Sequence, residues 1–226
     1  MRMGYRGIIA AALLAGLWAP VQAAKLDEVF NGKMLGATQR YLESVAGVPR
    51  SEFGDVHEFE VQGCPVEATI VAGQVQALRL EIGPKCQPDL SSFIDAYAPP
   101  KNQALSFGGF EKTAGPLKYM ADCLMSCGNA ADPVVYGFWD GPRAAQFLQV
   151  LLEAEQVEDA ALSAAGDWEA QMLKARGEDY VMDLGFNCDD QFNAQASKAF
   201  KAVKATAVTI GHDLAVPQAL TQACPK

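Results

Sequence analysis

Residues 56–82 read VHEFEVQGCPVEATIVAGQVQALRLEI. From 56 to 61 the side chains alternate, with His57, Phe59 and Val61 on one side and Val56, Glu58 and Glu60 on the other. Period two is the mark of a strand with one wet face. Val66 to Val71 is a second such run. Val75 to Ile82 is a third, and its alternation sets Val75, Ala77 and Arg79 opposite Gln76, Leu78 and Leu80. Ala72-Gly73-Gln74 between them is a tight turn. Three strands joined by short links make an antiparallel sheet, and its dry face needs helices to cover it. Cys64 and Cys86 flank the hairpin and are placed to staple its open end.

On the amino-terminal side, residues 50–55 read as loop. Residues 25–47 read as a short helix, a break at Asn31-Gly32 and a second helix. Thr38 is placed to cap the second helix, and Gly47 with Pro49 to stop it. Within it, Gly36-Ala37-Thr38-Gln39 leads to Tyr41, Leu42 and Val45, then Gly47-Val48-Pro49. This pattern over residues 27–83 resembles the SmpA/OmlA family of small envelope proteins, whose fold is shared with β-lactamase inhibitory proteins. The resemblance implies a helix, an aromatic strand and a Gly-turn hairpin, places met here by Phe59 and residues 66–82. It implies a periplasmic protein that binds another protein rather than a catalyst, and it carries over no binding residue. Members are usually lipoproteins anchored through a cysteine near the amino terminus, whereas the first cysteine here is Cys64; Cys64 and Cys86 lie outside the signature.

Further upstream, Arg2 and Arg6 precede an apolar run from Ile8 to Trp18, then Pro20 and Val21-Gln22-Ala23. A run of that length is too short for a membrane span of ~20 residues and fits a secretory signal peptide over 1–23. Cleavage would take the net charge from −9 to −11, because two arginines and no acid are lost. Export makes all six cysteines, Cys64, Cys86, Cys123, Cys127, Cys188 and Cys224, candidates for disulfides. Connectivity is open. One assignment joins Cys64 to Cys86, Cys188 to Cys224 and Cys123 to Cys127. The acidic balance excludes a nucleic-acid footprint, which needs a basic stripe, and suggests a basic partner.

Downstream, the prolines of 83–104 mark a connector with a helical turn or two between Leu90 and Tyr97. It separates a helix-plus-hairpin unit (24–98) from a unit of antiparallel meander and helices (99–226). In the second unit, strands are expected over Leu105–Glu111, Leu117–Leu124, Val134–Trp139 and Phe147–Glu155, the first two and the last two each split by turn residues. Helices are expected over Val157–Arg176, with Leu162, Ala165, Trp168, Met172 and Leu173 on its inner side, and over Gln191–Val203. Tyr180–Phe186 and Ala205–Ile210 read as strands, and the tail after Gly211 as irregular. No internal repeat stands out. The whole is an α+β protein: antiparallel sheets with helices on one side, in two sheet-and-helix units braced by disulfides.

Three constellations carry possible chemistry. Cys123 and Cys127, with Met120 and Met125, offer soft ligands to Cu(I) if reduced, or a thiol-redox pair; in an oxidising compartment the same residues make a local disulfide. Asn129 and Asp132 offer oxygens to Ca²⁺, but turn chemistry uses the same residues. Tyr136, Phe138 and Trp139 form an aromatic strand whose rings are candidate binding anchors; alternation puts the first two on one face and Trp139 on the other. Asp189-Asp190 suit a helix start, and Glu153, Glu155, Glu158 and Asp159 a solvated edge. His57 beside Glu58 would need the fold to complete a triad. No catalytic motif appears, and no cofactor is expected. The expectation is an exported noncatalytic protein that binds or inhibits a partner in the envelope. A Cu(I) or thiol-redox protein and an unrecognised enzyme are the alternatives.

Overall fold

The computed structural model describes residues 24–125, 127, 133–183 and 185–215. The predicted signal peptide, Asn129, Asp132 and Cys224 lie outside the described residues. The first half begins with α1 (Leu26–Val29), a 3₁₀ turn over Gly32–Met34, and α2 (Gln39–Ala46). It continues with β1 (Ser51–Phe53), β2 (Val56–Val61), β3 (Cys64–Val71) and β4 (Gln74–Glu81). The connector carries α3 (Ser91–Ile94) and a 3₁₀ turn. The second half runs α4 (Phe107–Ala114), β5 (Lys118–Ala121), β6 (Val134–Asp140), β7 (Gln149–Glu155), α5 (Asp159–Arg176), α6 (Glu178–Met182), α7 (Asn193–Phe200) and β8 (Ala207–Gly211).

The eight strands of the described residues form one antiparallel sheet in the order β1-β2-β3-β4-β8-β7-β6-β5, with helices packed on one side. Each half is a meander of sequential strands, and the halves meet where β4 pairs with β8. The connector therefore does not part the sheet. Its covered face carries Val66, Ala68, Leu78, Leu80, Val208 and Ile210, all buried. Burying each larger aliphatic side chain contributes about 1.5–3 kcal/mol.

The structure reveals a repeat that hydropathy does not show. Thr38 accepts a hydrogen bond from the Tyr41 amide and caps α2; Ser106 accepts one from the Gly109 amide and caps α4. Leu42 and Phe110, four residues on, are fully buried. Gly47 and Gly115 end the two helices at φ of +92° and +100°, a region that favours glycine. Thr38 also bridges to Gln74 at the start of β4, and Ser106 to Lys204 just before β8. Each half is thus a capped eight-residue helix and four strands, with α5 to α7 inserted before the last strand of the second.

Several expectations are corrected. Residues 51–53 are not loop but an edge strand, folded back on β2 through Gly54. Leu105–Glu111 is not a strand: the Ser106 cap starts a helix, and Gly108 is needed there because a Cβ would fall 2.5 Å from the Lys201 carbonyl oxygen. Of the expected strand Tyr180–Phe186, residues 180–182 are helix and residues 185–186 turn. Leu162 is exposed, whereas Ala161, Ala164, Ala165, Trp168 and Met172 make the buried side of α5. The register shifts between Thr69 and Ile70, so Val75 stands opposite Ile70 on the covered face while Ala77 and Arg79 keep to the other.

Cys64–Cys86 and Cys123–Cys127 are bonded, as expected. The third assignment, Cys188 with Cys224, ends on a residue outside those described. At the β5 edge, the Tyr119 amide donates to Asn193 Oδ1 and the Tyr119 carbonyl accepts from Asn187 Nδ2. Two side chains thereby satisfy backbone groups that would otherwise invite another strand.

The seam depends on close approach. A Cβ on Gly211 would fall 2.4 Å from the Gln76 carbonyl oxygen and 2.6 Å from the Ala77 Cα. Gly211→Ala should therefore lower stability by about 1–3 kcal/mol, the usual range for overpacking, as measured by urea denaturation. Gly166→Ala, with open space around it on α5, should cost nothing.

Candidate binding face

Register identifies the side chains on the face away from the helices. Glu58 pairs with Glu67, Glu67 with Arg79, Arg79 with Thr209, and Thr209 with Leu151. Residues in direct register share a face, so Glu58, Glu67, Arg79, Thr209 and Leu151 form one row across five strands. Tyr136 pairs with Glu153 on the same side.

Arg79 holds the centre. Its Nε donates to Glu153 Oε1 at 2.9 Å and its Nη2 to Glu153 Oε2 at 2.8 Å, a two-pronged pair that reaches from β4 across β8 to β7. Nη1 donates to Glu67 at 3.0 Å and lies 3.6 Å from Glu81. Thr209 Oγ1 donates to Glu153 at 3.4 Å. Burial works against the Arg79 charge, but the Glu153 hydrogen bonds and the surrounding carboxylates outweigh it and hold its pKa above the usual value. Glu153 is buried rather than part of a solvated edge, which corrects the expectation. The signal that missed it is local: a carboxylate reads as exposed until a cation from a distant strand is known to reach it.

A trough of about 610 Å³ lies over this row, lined by Val56, Glu67, Thr69, Arg79, Tyr136 and Glu153 among others. At its outer end stand three exposed apolar residues. Phe53 is 89% exposed and pairs with Val56; Val56 pairs with Thr69; Val71, 43% exposed, follows two residues along β3.

The three aromatic candidates separate. Tyr136 lines the trough, and its hydroxyl donates to Asp122 at 3.2 Å. Burial, followed by the Asp122 charge, raises its pKa, so it stays a neutral phenol. Phe138 lies on the same face but is buried, in register with Leu151. Trp139 is a core residue, not a surface anchor: its Nε1 donates to the Ala114 carbonyl at 2.9 Å and it packs edge-on against Phe110. Sequence alternation put Val56 on the side of Glu58 and Glu60, where it is found, but reading residues 50–55 as loop hid that Phe53 pairs with Val56 and joins it and Val71 in one exposed apolar group.

The chemical candidates do not converge. His57 faces the helices and Glu58 the open face, so they form no dyad. Asp190 accepts from Asn193 at 3.0 Å and Asp189 from the Gln191 amide at 3.3 Å, both tying down the start of α7. The Cys123 and Cys127 sulfurs are bonded to each other, so Cu(I) ligation there would require prior reduction. Among the described residues, no group of three or more His, Cys, Asp or Glu is arranged to hold a metal, and no helix is long and apolar enough to cross a membrane. Compared with protein-family models, curated proteins and solved structures, the chain matches none.

The Arg79–Glu153 pair is largely shielded and each partner depends on the other. Arg79→Met should cost about 3 kcal/mol by leaving Glu153 unpaired. The double variant Arg79→Met/Glu153→Met should cost distinctly less than the sum of the single variants, giving a coupling of about 1–3 kcal/mol in a double-mutant cycle of chemical denaturation.

Proposed function

We propose that this chain is an exported, noncatalytic protein that binds or inhibits a protein partner in the cell envelope. One observation carries the reading: a continuous sheet face, left uncovered by helices over its first half, presents Phe53, Val56 and Val71 beside a polar trough. Protein–protein sites combine apolar contacts with a polar surround in this way. The helices pack against the other face, while Phe53, Val56 and Val71 stay exposed on this one.

Three further points support it. The two disulfides suit an oxidising compartment. The signal-peptide pattern over 1–23 supports export. The helix, the Phe59 strand and the Gly73 hairpin stand in the order that the SmpA/OmlA resemblance implies.

The test uses Thr69→Trp, a bulky change on the open face that leaves the covered face untouched. Immobilised wild-type protein should retain a discrete partner from envelope extract in near-equimolar yield, and Thr69→Trp should lose it while keeping the wild-type melting temperature. Equal retention by both proteins, or retention of no discrete protein, would contradict the reading.

A further inference from the structure

We infer that the occupant of the open face is a basic polypeptide segment, one that places lysine or arginine side chains over Glu58, Glu67 and Glu81 and an apolar side chain against Phe53 and Val71. This inference rests on the binding reading above and names the partner's chemistry.

The charges on this face do not balance internally. Strand parity puts Glu58, Glu60, Glu67, Glu81, Glu153 and Glu155 there. Against them stand Arg79, Lys118 on the far edge strand, and Arg50, which pairs with Glu60. Arg79 is committed to Glu153 through two of its nitrogens and to Glu67 through the third. Glu58 and Glu67 are direct cross-strand partners, a like-charge arrangement that weakens a sheet. Among the described residues, Glu58 receives only the Ser51 hydroxyl at 2.8 Å as a side-chain partner, and Glu81 has only the shared Arg79 at 3.6 Å. Cationic side chains arriving from outside would relieve this repulsion.

The same surplus discriminates among occupants. A second copy meeting this face with its own would set carboxylates against carboxylates, in a chain whose net charge is already −9. Nucleic acid and anionic lipid are repelled for the same reason. The apolar trio at the outer end sets the chosen occupant apart from a bare polycation. Phe53, Val56 and Val71 lie beside the acidic row, so a segment bearing both basic and apolar side chains covers both.

The probe is a fluorescein-labelled decapeptide of alternating lysine and valine, with lysine–glycine and glutamate–valine decapeptides as controls, titrated against the full chain by fluorescence anisotropy. The lysine–valine peptide should bind most tightly and weaken about tenfold as salt rises from low to physiological strength. Glu58→Gln/Glu67→Gln/Glu81→Gln should weaken it by about tenfold or more. Should the triple variant fail to fold, Glu58→Lys alone should weaken binding severalfold. Phe53→Ser/Val71→Ser should abolish the preference for valine over glycine. Equal binding of the glutamate–valine peptide, or insensitivity to the charge variants, overturns the inference. If Thr69→Trp loses the envelope partner while the triple variant keeps it, the basic-segment assignment falls and the binding reading stands. If neither change affects capture, both fall.

Discussion

The β4–β8 ladder joins residues 77–81 to residues 207–211 in five antiparallel register pairs. On one side of it lie three strands of the first half, on the other three of the second. Without this pairing each half would carry a four-stranded meander with a bare edge at β4 or β8, and edges of that kind seek other chains. The pairing also aligns the dry faces of both meanders so that one layer of helices covers them. Gly211 permits the approach, since a side chain there would meet the β4 backbone. The remaining outer edges are managed differently: β1 is only three residues long, and β5 has its Tyr119 backbone groups occupied by Asn187 and Asn193.

On the other face the same seam gathers charge. Arg79 is on β4, Glu153 on β7, and Thr209 on β8 lies between them. The ion pair therefore spans the join of the two halves and is itself a product of the β4–β8 pairing. The one guanidinium of β4 is thereby shared between Glu153 of the second half and Glu67 and Glu81 of the first. The surplus of carboxylates on the open face is set by its residues, and the way the halves meet decides which of them Arg79 reaches.

The sheet was legible in the residues wherever period two ran unbroken. His57, Phe59 and Val61 point to the core as the alternation requires, and Thr38 and Gly47 bound their helix as capping chemistry requires. The failures have physical causes. The irregularity at Thr69/Ile70 moved Val75 to the other face, and no periodicity can announce such a shift. Leu105–Glu111 looked strand-like from its aromatic and aliphatic residues, yet the Ser106 cap and the Lys201 backbone packed against Gly108 favour a helix. The repeat is faint in the residues because, between the caps, α2 and α4 are identical only at Glu43/Glu111 and Ala46/Ala114, and the buried fourth position is Leu42 in one and Phe110 in the other. Of the face proposed for binding, Tyr136 was legible. The Arg79–Glu153 pair was not, because it joins positions 74 residues apart in sequence.

Native-state hydrogen exchange tests the central claim most directly, because it reads the free energy of opening strand by strand. If the two halves are one cooperative sheet, the amides of Leu78 and Leu80 on β4 and of Val208 and Ile210 on β8 will exchange only through global unfolding, at one shared free energy equal to that from chemical denaturation. If residues 24–98 instead keep their protection while β8 and its neighbours open, the halves are independent folding units and the account built on their seam is wrong.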